Sequence, residues 1–162
     1  MDAATLAALA TFPDQLEAHF AAMPATHRAW TPADWDGIPS ERFSAIEHLC
    51  HVRDIECEGY QVRFARTLHE DGPLLAAIDG EAWARERRYA QADADAALQA
   101  FRAARTRTLA LLAGLDAAQR ARTAVFEGYG PVTLDSLVHY LCSHDQQHLA
   151  GLQWLRGRIA AA

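Results

Sequence analysis

The chain contains no lysine, and all fifteen of its basic residues are arginine. This absence excludes Schiff-base chemistry and a lysine general base. The basic residues form no concentrated patch, and the formal net charge of −6 argues against a nucleic-acid partner, whose phosphates need such a patch. No apolar run reaches the roughly 20 residues of a membrane-spanning helix. We therefore expect neither nucleic acid nor membrane as a partner.

Cysteine is scarce too, and the three thiols, Cys50, Cys57 and Cys142, form no CxxC pair. Cys50 and Cys57 fall two turns apart on one predicted helix, about 10 Å along its axis, so they cannot bridge each other there. Scattered free thiols are typical of a reducing compartment, where each serves as a small buried apolar side chain. The N-terminal stretch lacks the positive segment that opens a signal peptide, and we expect a cytoplasmic protein.

The composition and the apolar pattern predict one helical domain. Apolar residues make up 51% of the 162 residues, which suits a single domain over residues 1–162 with a core of its own. Four long segments carry apolar residues at helical spacing, and no alternating pattern is long enough to form a sheet. The sequence therefore predicts an all-α four-helix bundle, in which sites form in the core from facing helices.

Local signals place the starts of the later helices. Ser44 and Glu47 match a capping box, which opens a helix running to about His69. Further long helices are predicted from about Asp93 and from Thr133, the last one extending almost to the C-terminus. A short extra helix is expected before the third long helix. These signals define three of the four long helices.

The first helix and its connection to the second are less regular. Pro13 predicts a kink or a restart of the first helix near Thr11. Residues 24–43 are rich in proline and polar side chains, which indicates a long connection. We expect Trp30 and Trp35 to hold this connection against the body of the protein.

Two histidines interrupt the apolar stripe of the last helix. His144 and His148 continue its steps of three and four between Leu141 and Leu152, so they lie on its buried side. Residues four apart on a helix differ by about 40° in direction, and their Cβ atoms are roughly 6 Å apart. Two imidazoles at this spacing can converge on one ion, at bonds of about 2.0–2.1 Å for zinc. The pair therefore indicates a metal site.

A stable site needs a third ligand, and the second helix offers His48 and His51. That helix has apolar residues around most of its circumference, so the pattern leaves the choice between the two open. The remaining histidines are better explained as surface or packing residues: His19, His27, His69 and His139.

Three short motifs occur in order along nearly the whole chain. They are Phe43-Ser44 followed by His51-Val52-Arg53-Asp54-Ile55-Glu56, the stretch from Phe101 to Arg105, and Gly130, Thr133-Leu134 and His144-Asp145-Gln146-Gln147-His148-Leu149. Together they resemble the DinB-like superfamily, also called DinB/YfiT-like, of metal-binding four-helix bundles, in which one histidine from the second helix joins a pair from the fourth. The resemblance implies His51, His144 and His148 as metal ligands, and it selects His51 over His48.

The resemblance also implies a type of chemistry. Members of the superfamily include thiol-dependent S-transferases, a thiol-dependent isomerase and proteins with no assigned reaction. Three imidazoles leave positions open on an ion, where a low-molecular-weight thiol would be held as thiolate and could attack a small electrophile. The expected cofactor is a divalent metal ion, and zinc or nickel is favoured. Iron or copper stays possible, because imidazole discriminates little among these metals.

Two acidic residues lie next to the expected ligands. Asp54 follows His51 by three residues and has the reach to orient that ring through its second nitrogen. Asp145 directly follows His144 and could equally point to solvent. Neither is expected to be catalytic.

Other functions stay open at this point. The protein could be a non-catalytic metal-binding or stress-related bundle, and in either case we expect a homodimer through an exposed helix face. A metal-dependent hydrolase of the zincin type is less favoured, because that type places glutamate directly after the first histidine, where this chain has Asp145. A di-iron bundle would need Glu-x-x-His on two helices, and only Asp145-x-x-His148 comes close.

Overall fold

A computed structural model describes residues 2–161, and most of them are helical. The helices are α1 (Ala3–Ala21), α2 (Ala45–Asp54), α3 (Gln61–His69), α4 (Gly80–Glu86), α5 (Ala94–Ala113), α6 (Ala117–Arg120) and α7 (Leu134–Ala160). A π-helical turn, Ile55–Tyr60, joins α2 to α3 into one continuous helix. The predicted four-helix bundle is confirmed, with α1, α2–α3, α5 and α7 as its long members. None of the helices in the described range is both long and apolar enough to cross a membrane.

The connection between α1 and α2 crosses the bundle. Helix α1 packs mainly against α5 and α7, and α2 packs mainly against the same two helices, so α1 and α2 lie across the bundle from each other. As predicted, tryptophans hold this connection in place. Trp35 stacks on Trp154 of α7 with ring centroids 5.9 Å apart, and Trp30 packs against the core.

The predicted caps are present at the helix starts. Both the backbone N–H and the hydroxyl of Ser44 donate to the Glu47 carboxylate, at 2.8 and 2.7 Å. The side chains of Asp93 and Thr133 accept hydrogen bonds from backbone N–H groups three residues later, at the starts of α5 and α7. These bonds satisfy donors that a helix start otherwise leaves unpaired.

Helix α1 runs through Pro13 without the restart predicted near Thr11. Proline has no N–H, so the carbonyl of Leu9, four residues earlier, lacks its helical donor. Nη1 of Arg105 on α5 donates to that carbonyl at 3.0 Å. A guanidinium distant in sequence therefore replaces the missing helical hydrogen bond.

A small three-stranded sheet corrects the prediction that no sheet forms. Strand β1 (Leu74–Leu75) pairs parallel to β2 (Thr123–Phe126), and β2 pairs antiparallel to β3 (Gly130–Thr133). Inward and outward residues do alternate in β2, but over four residues only, too few to predict a strand. Gly128 takes a φ of 81° in the turn after β2, a conformation that suits glycine.

Two apolar clusters fill the bundle. Along α7, one cluster contains Leu134, Leu137, Val138 and Leu141, and the other contains Leu149, Leu152 and Leu155. The segment between them carries His144, Asp145 and His148, so a polar layer divides the core at this level. A buried polar layer needs partners for every group, and those partners define the site described next.

Candidate metal centre

The structure brings together the three histidines that the resemblance implied. Nε2 of His144 lies 3.1 Å from Nε2 of His51 and 3.1 Å from Nε2 of His148. One nitrogen from each of the three rings lies within 4.8 Å of the other two. His51 and His148 are buried and His144 is half-buried. The three Nε2 atoms therefore converge on a common point between α2 and α7.

Hydrogen bonding alone does not account for this cluster. Nε2 of His144 faces two ring nitrogens with only one proton or one lone pair to offer. Bonds of about 2.1 Å to one tetrahedral ion would place two ligand nitrogens roughly 3.4 Å apart, close to the observed separations. The residues present therefore fit a metal ion held by three imidazoles.

His48, the alternative third ligand, has a different position. Its Nδ1 lies 2.8 Å from Nδ1 of His148, on the side of that ring away from the cluster. A partner on the second nitrogen fixes the orientation and tautomer of a ligating imidazole, a role more often filled by a carboxylate or a carbonyl. His48 therefore supports His148 and leaves Nε2 of that ring facing the centre.

Glycine residues allow two of these rings to lie where they do. A Cβ added to Gly151 would lie 2.6 Å from Cε1 of His48, and one added to Gly80 would lie 2.5 Å from Cε1 of His51. Real Cβ contacts do not come this close. The rings of His48 and His51 thus rest directly against backbone of α7 and α4.

Burial keeps the rings neutral. It lowers the pKa of His51 to about 4 and the pKa of His48 to about 3, from an ordinary value of 6.5. It also lowers the pKa values of His144 and His148 well below 6.5. A neutral imidazole keeps the lone pair that a metal ion requires.

Glu41, which no motif or spacing in the sequence singles out, also reaches the centre. It comes from the end of the long connection, and its carboxylate oxygens lie 3.8 Å from Nε2 of His51 and 3.6 Å from Nε2 of His148. Its Oε2 atom is buried and has no hydrogen-bond partner. A lone acidic residue in a loop gives no periodic signal, so only the fold reveals its position.

The two acidic residues predicted to support the ligands bond to other groups. Asp145 does not point to solvent: it is buried, and both of its oxygens accept hydrogen bonds from Arg105, at 2.8 and 3.0 Å. Asp54 accepts hydrogen bonds from Tyr89 and Arg87, each at 2.6 Å. These bonds tie α7 to α5 and α2 to the α4 region, so both carboxylates help to position the helices that carry the histidines.

A pocket opens beside the histidine cluster. It has a volume of about 160 Å³ and is lined by Glu41, His51 and His144 on one side. Apolar and aromatic side chains and one arginine form the rest of the wall: Ile55, Tyr60, Arg63, Ala77, Ile78, Phe126 and Tyr129. A small molecule in this pocket would therefore reach the point on which the three Nε2 atoms converge.

The π-helical turn places two of the lining residues. In such a turn residues five apart lie on the same face, so Ile55 and Tyr60 both face the pocket together with His51. In an α-helix the fifth residue would be rotated by about 140° relative to the first. The capping box at Ser44 predicts this helix, but no signal in the sequence predicts the π-helical turn within it.

The protein's own thiols are poor nucleophiles. Burial raises the pKa values of Cys50 and Cys142 to about 11, and it also raises that of Cys57. A thiol with a raised pKa stays protonated and unreactive at neutral pH. None of the three lines the pocket, in keeping with the packing roles expected from the sequence.

Comparison with known proteins identifies the family. The model of the DinB superfamily matches residues 8–152. YfiT from Bacillus subtilis, described as a probable metal-dependent hydrolase with an unusual four-helix bundle topology, has a similar structure, with a TM-score of 0.83. It is 23% identical, and the match covers 96% of this chain and 86% of YfiT. No curated protein matches the sequence. The family match over nearly the whole length, together with the fold, shows that the chain belongs to the DinB superfamily.

Proposed function

We propose that this protein is a divalent-metal-dependent enzyme of the thiol S-transferase type. The observation that supports this function is the convergence of three imidazole nitrogens beside a pocket that two of the rings, His51 and His144, line. His51, His144 and His148 would hold the ion through Nε2. A divalent ion bound there would hold a low-molecular-weight thiol as thiolate, which is the nucleophilic form.

The proposed reaction is a substitution without a change in oxidation state. An electron pair of the sulfur forms a bond to an electrophilic carbon, the leaving group departs with the pair of the broken bond, and the thiol proton passes to solvent. The chain supplies binding and orientation: the apolar wall of the pocket, which includes Ile55 and Phe126, excludes water from the reacting atoms. No nucleophile from the protein is needed, in keeping with its protonated thiols.

Metal content tests the first half of this proposal. Purified wild-type protein supplied with zinc or nickel should contain about one ion per chain by elemental analysis. Replacement of His51, His144 or His148 by alanine should remove it, because two imidazoles hold a divalent ion weakly. His139 lies on the same helix with an exposed side chain, so His139→Ala is the matched control and should bind metal normally. A wild type without stoichiometric metal would overturn the proposal.

Thiol chemistry tests the second half. Metal-loaded protein should accelerate the reaction of glutathione with 1-chloro-2,4-dinitrobenzene above the rate with chelated protein. His144→Ala should lose this acceleration, and His139→Ala should keep it. If loaded and chelated protein react at the same rate with several thiols and electrophiles, the transferase function is wrong even where metal binds.

A hydrolase is the second candidate, and the position of Glu41 favours it. A carboxylate beside two ligand nitrogens is suitably placed to accept a proton from a bound water, as the glutamate of a zincin does. The similar structure of YfiT, described as a probable metal-dependent hydrolase, agrees with this function. Hydrolysis of p-nitrophenyl acetate that needs metal and Glu41 but no thiol would favour the hydrolase over the transferase.

A further inference from the structure

Arg63 is a buried cation in the wall of the pocket beside the histidines. Only 7% of the residue is exposed, and its Nη2 donates to the carbonyl of Ala76 at 3.1 Å. Its guanidinium carbon lies 4.5 Å from the ring centroid of Phe126 and 5.2 Å from that of Tyr60. Within residues 2–161, no carboxylate forms an ion pair with it. A buried guanidinium usually pairs with a negative group, and no carboxylate among the described residues fills that role for Arg63.

Arg105 is also a buried arginine, but unlike Arg63 it has carboxylate partners. Its exposed fraction is 1%, and two carboxylates, from Glu56 and Asp145, accept hydrogen bonds from it. Burial of a charge without a counter-charge costs several kcal/mol, and aromatic faces offset only part of that cost. The contrast indicates that the partner of Arg63 is a ligand that enters the pocket.

The two sides of the pocket differ in charge. Glu41 carries its carboxylate on the histidine side, where it would repel a second negative group. Arg63 lies on the wall formed with Tyr60 and Phe126, where a negative group would be attracted. An anionic ligand would therefore place its charged group at Arg63 and its reactive end at the histidines.

We propose that the pocket binds small carboxylates, with Arg63 as the residue that binds the carboxylate group. This inference rests on the proposed function for the reactive end of the ligand, which would be a thiol or an electrophile. The chemical class is then a short mercaptocarboxylate, or a small electrophile with a carboxylate, of a size that a cavity of about 160 Å³ accepts. The aliphatic part of the ligand packs against Ile55 and Ile78.

Two pairs of matched ligands test the proposal by calorimetry on zinc-loaded protein. The first pair is 3-mercaptopropionate and its neutral amide, 3-mercaptopropionamide; the second is propionate and propionamide, which lack the sulfur. The acid of each pair should bind about tenfold more tightly than the amide, because a charge-assisted hydrogen bond to a guanidinium replaces a neutral one. Equal affinity of acid and amide in both pairs would overturn the proposal.

Variants of Arg63 and Arg66 test which residue causes the preference for the acid over the amide. Arg63→Gln should remove the preference for the acid, and Arg63→Lys, which keeps the charge, should retain part of it. Arg66 is the matched control, because it also donates to a backbone carbonyl, that of Leu74, but does not line this pocket. Arg66→Gln should keep the full preference, and an unchanged preference in Arg63→Gln would contradict the role of Arg63. If Arg63→Gln does not fold, Arg63→Lys decides: a reduced preference for the acid supports the role of Arg63, and an undiminished preference contradicts it.

The sulfur-free pair separates this inference from the proposed function. If thiols show no interaction with the metal but propionate still binds more tightly than propionamide, and Arg63→Gln removes this difference, the transferase chemistry is wrong and the role of Arg63 stands. If thiols bind the metal but neither acid is preferred, the role of Arg63 is wrong and the transferase proposal stands.

Discussion

Replacement of Gly151 by alanine tests whether His48 really rests on the backbone of α7. The new Cβ would lie 2.4 Å from Oγ of Ser40 and 2.6 Å from Cε1 of His48, so both side chains must move. Overpacking of this kind costs about 1–3 kcal/mol. Displacement of His48 also weakens its 2.8 Å bond to His148, which adds about 1 kcal/mol. The higher helix propensity of alanine than of glycine offsets up to about 1 kcal/mol of this loss in stability.

The net expectation is a loss of about 1–3 kcal/mol in the free energy of unfolding, measured by urea denaturation of metal-free protein. Gly157 lies on the same helix, and nothing lies within 4 Å of an added Cβ there. Gly157→Ala should therefore stabilise the protein slightly, by up to about 1 kcal/mol. Zinc affinity should fall in Gly151→Ala only, because only there is the support of a ligand disturbed. A Gly151→Ala protein that is as stable as Gly157→Ala would refute this reasoning.

Three further perturbations follow from the same contacts. Arg105→Met should lower the free energy of unfolding, measured by urea denaturation, by about 3–5 kcal/mol, because two buried carboxylates lose their counter-charge. Arg102→Met breaks only exposed ion pairs and should lower it by less than about 1 kcal/mol. Equal losses in the two variants would contradict the buried network. The free energy of unfolding of metal-free protein should fall as the pH is lowered from 6.5 towards 4. The decrease should be about 1.4 kcal/mol per pH unit for each of His48 and His51, because below pH 6.5 these side chains become protonated in the unfolded chain but stay neutral in the folded protein. A urea midpoint that does not change between pH 7 and pH 5 would count against neutral buried rings. Glu41→Gln should lower zinc affinity by about tenfold in competition with a chelator and leave the unfolding midpoint nearly unchanged, and an unaltered affinity would place the carboxylate outside the influence of the ion.

The features that the sequence predicted correctly depend on contacts between near neighbours. A cap such as that of Ser44 and Glu47 is complete within one helical turn, so its residues identify a helix start wherever the rest of the chain lies. The spacing of His144 and His148 is local in the same way. The bundle architecture then follows from the number of apolar stripes to be buried.

The features that the sequence did not predict depend on distant residues. The helix continues through Pro13 because Arg105 donates to the orphaned carbonyl, and this donor is 96 residues away from that carbonyl in sequence. Glu41 reaches the histidines because a long connection crosses the bundle and ends beside them. The choice of His51 over His48 as the third member of the cluster needed the family resemblance, since both histidines are buried and periodicity treats them alike.

The buried arginine also bears on whether the centre is structural or catalytic. From α5, Arg105 bonds to Leu9 of α1, to Glu56 in the π-helical turn after α2, and to Asp145 of α7, so one guanidinium connects all four long helices. Because Asp145 is adjacent to His144, these bonds position α7 close to the histidine cluster without any contribution from a metal. A site built in this way does not require the ion for folding, unlike a structural zinc site whose binding free energy drives folding. Chelated protein should therefore retain its helical circular dichroism signal and its cooperative unfolding, and the ion should exchange with added metal. Unfolding on chelation would show instead that the histidines hold the bundle together through the ion and would favour the non-catalytic metal-binding protein.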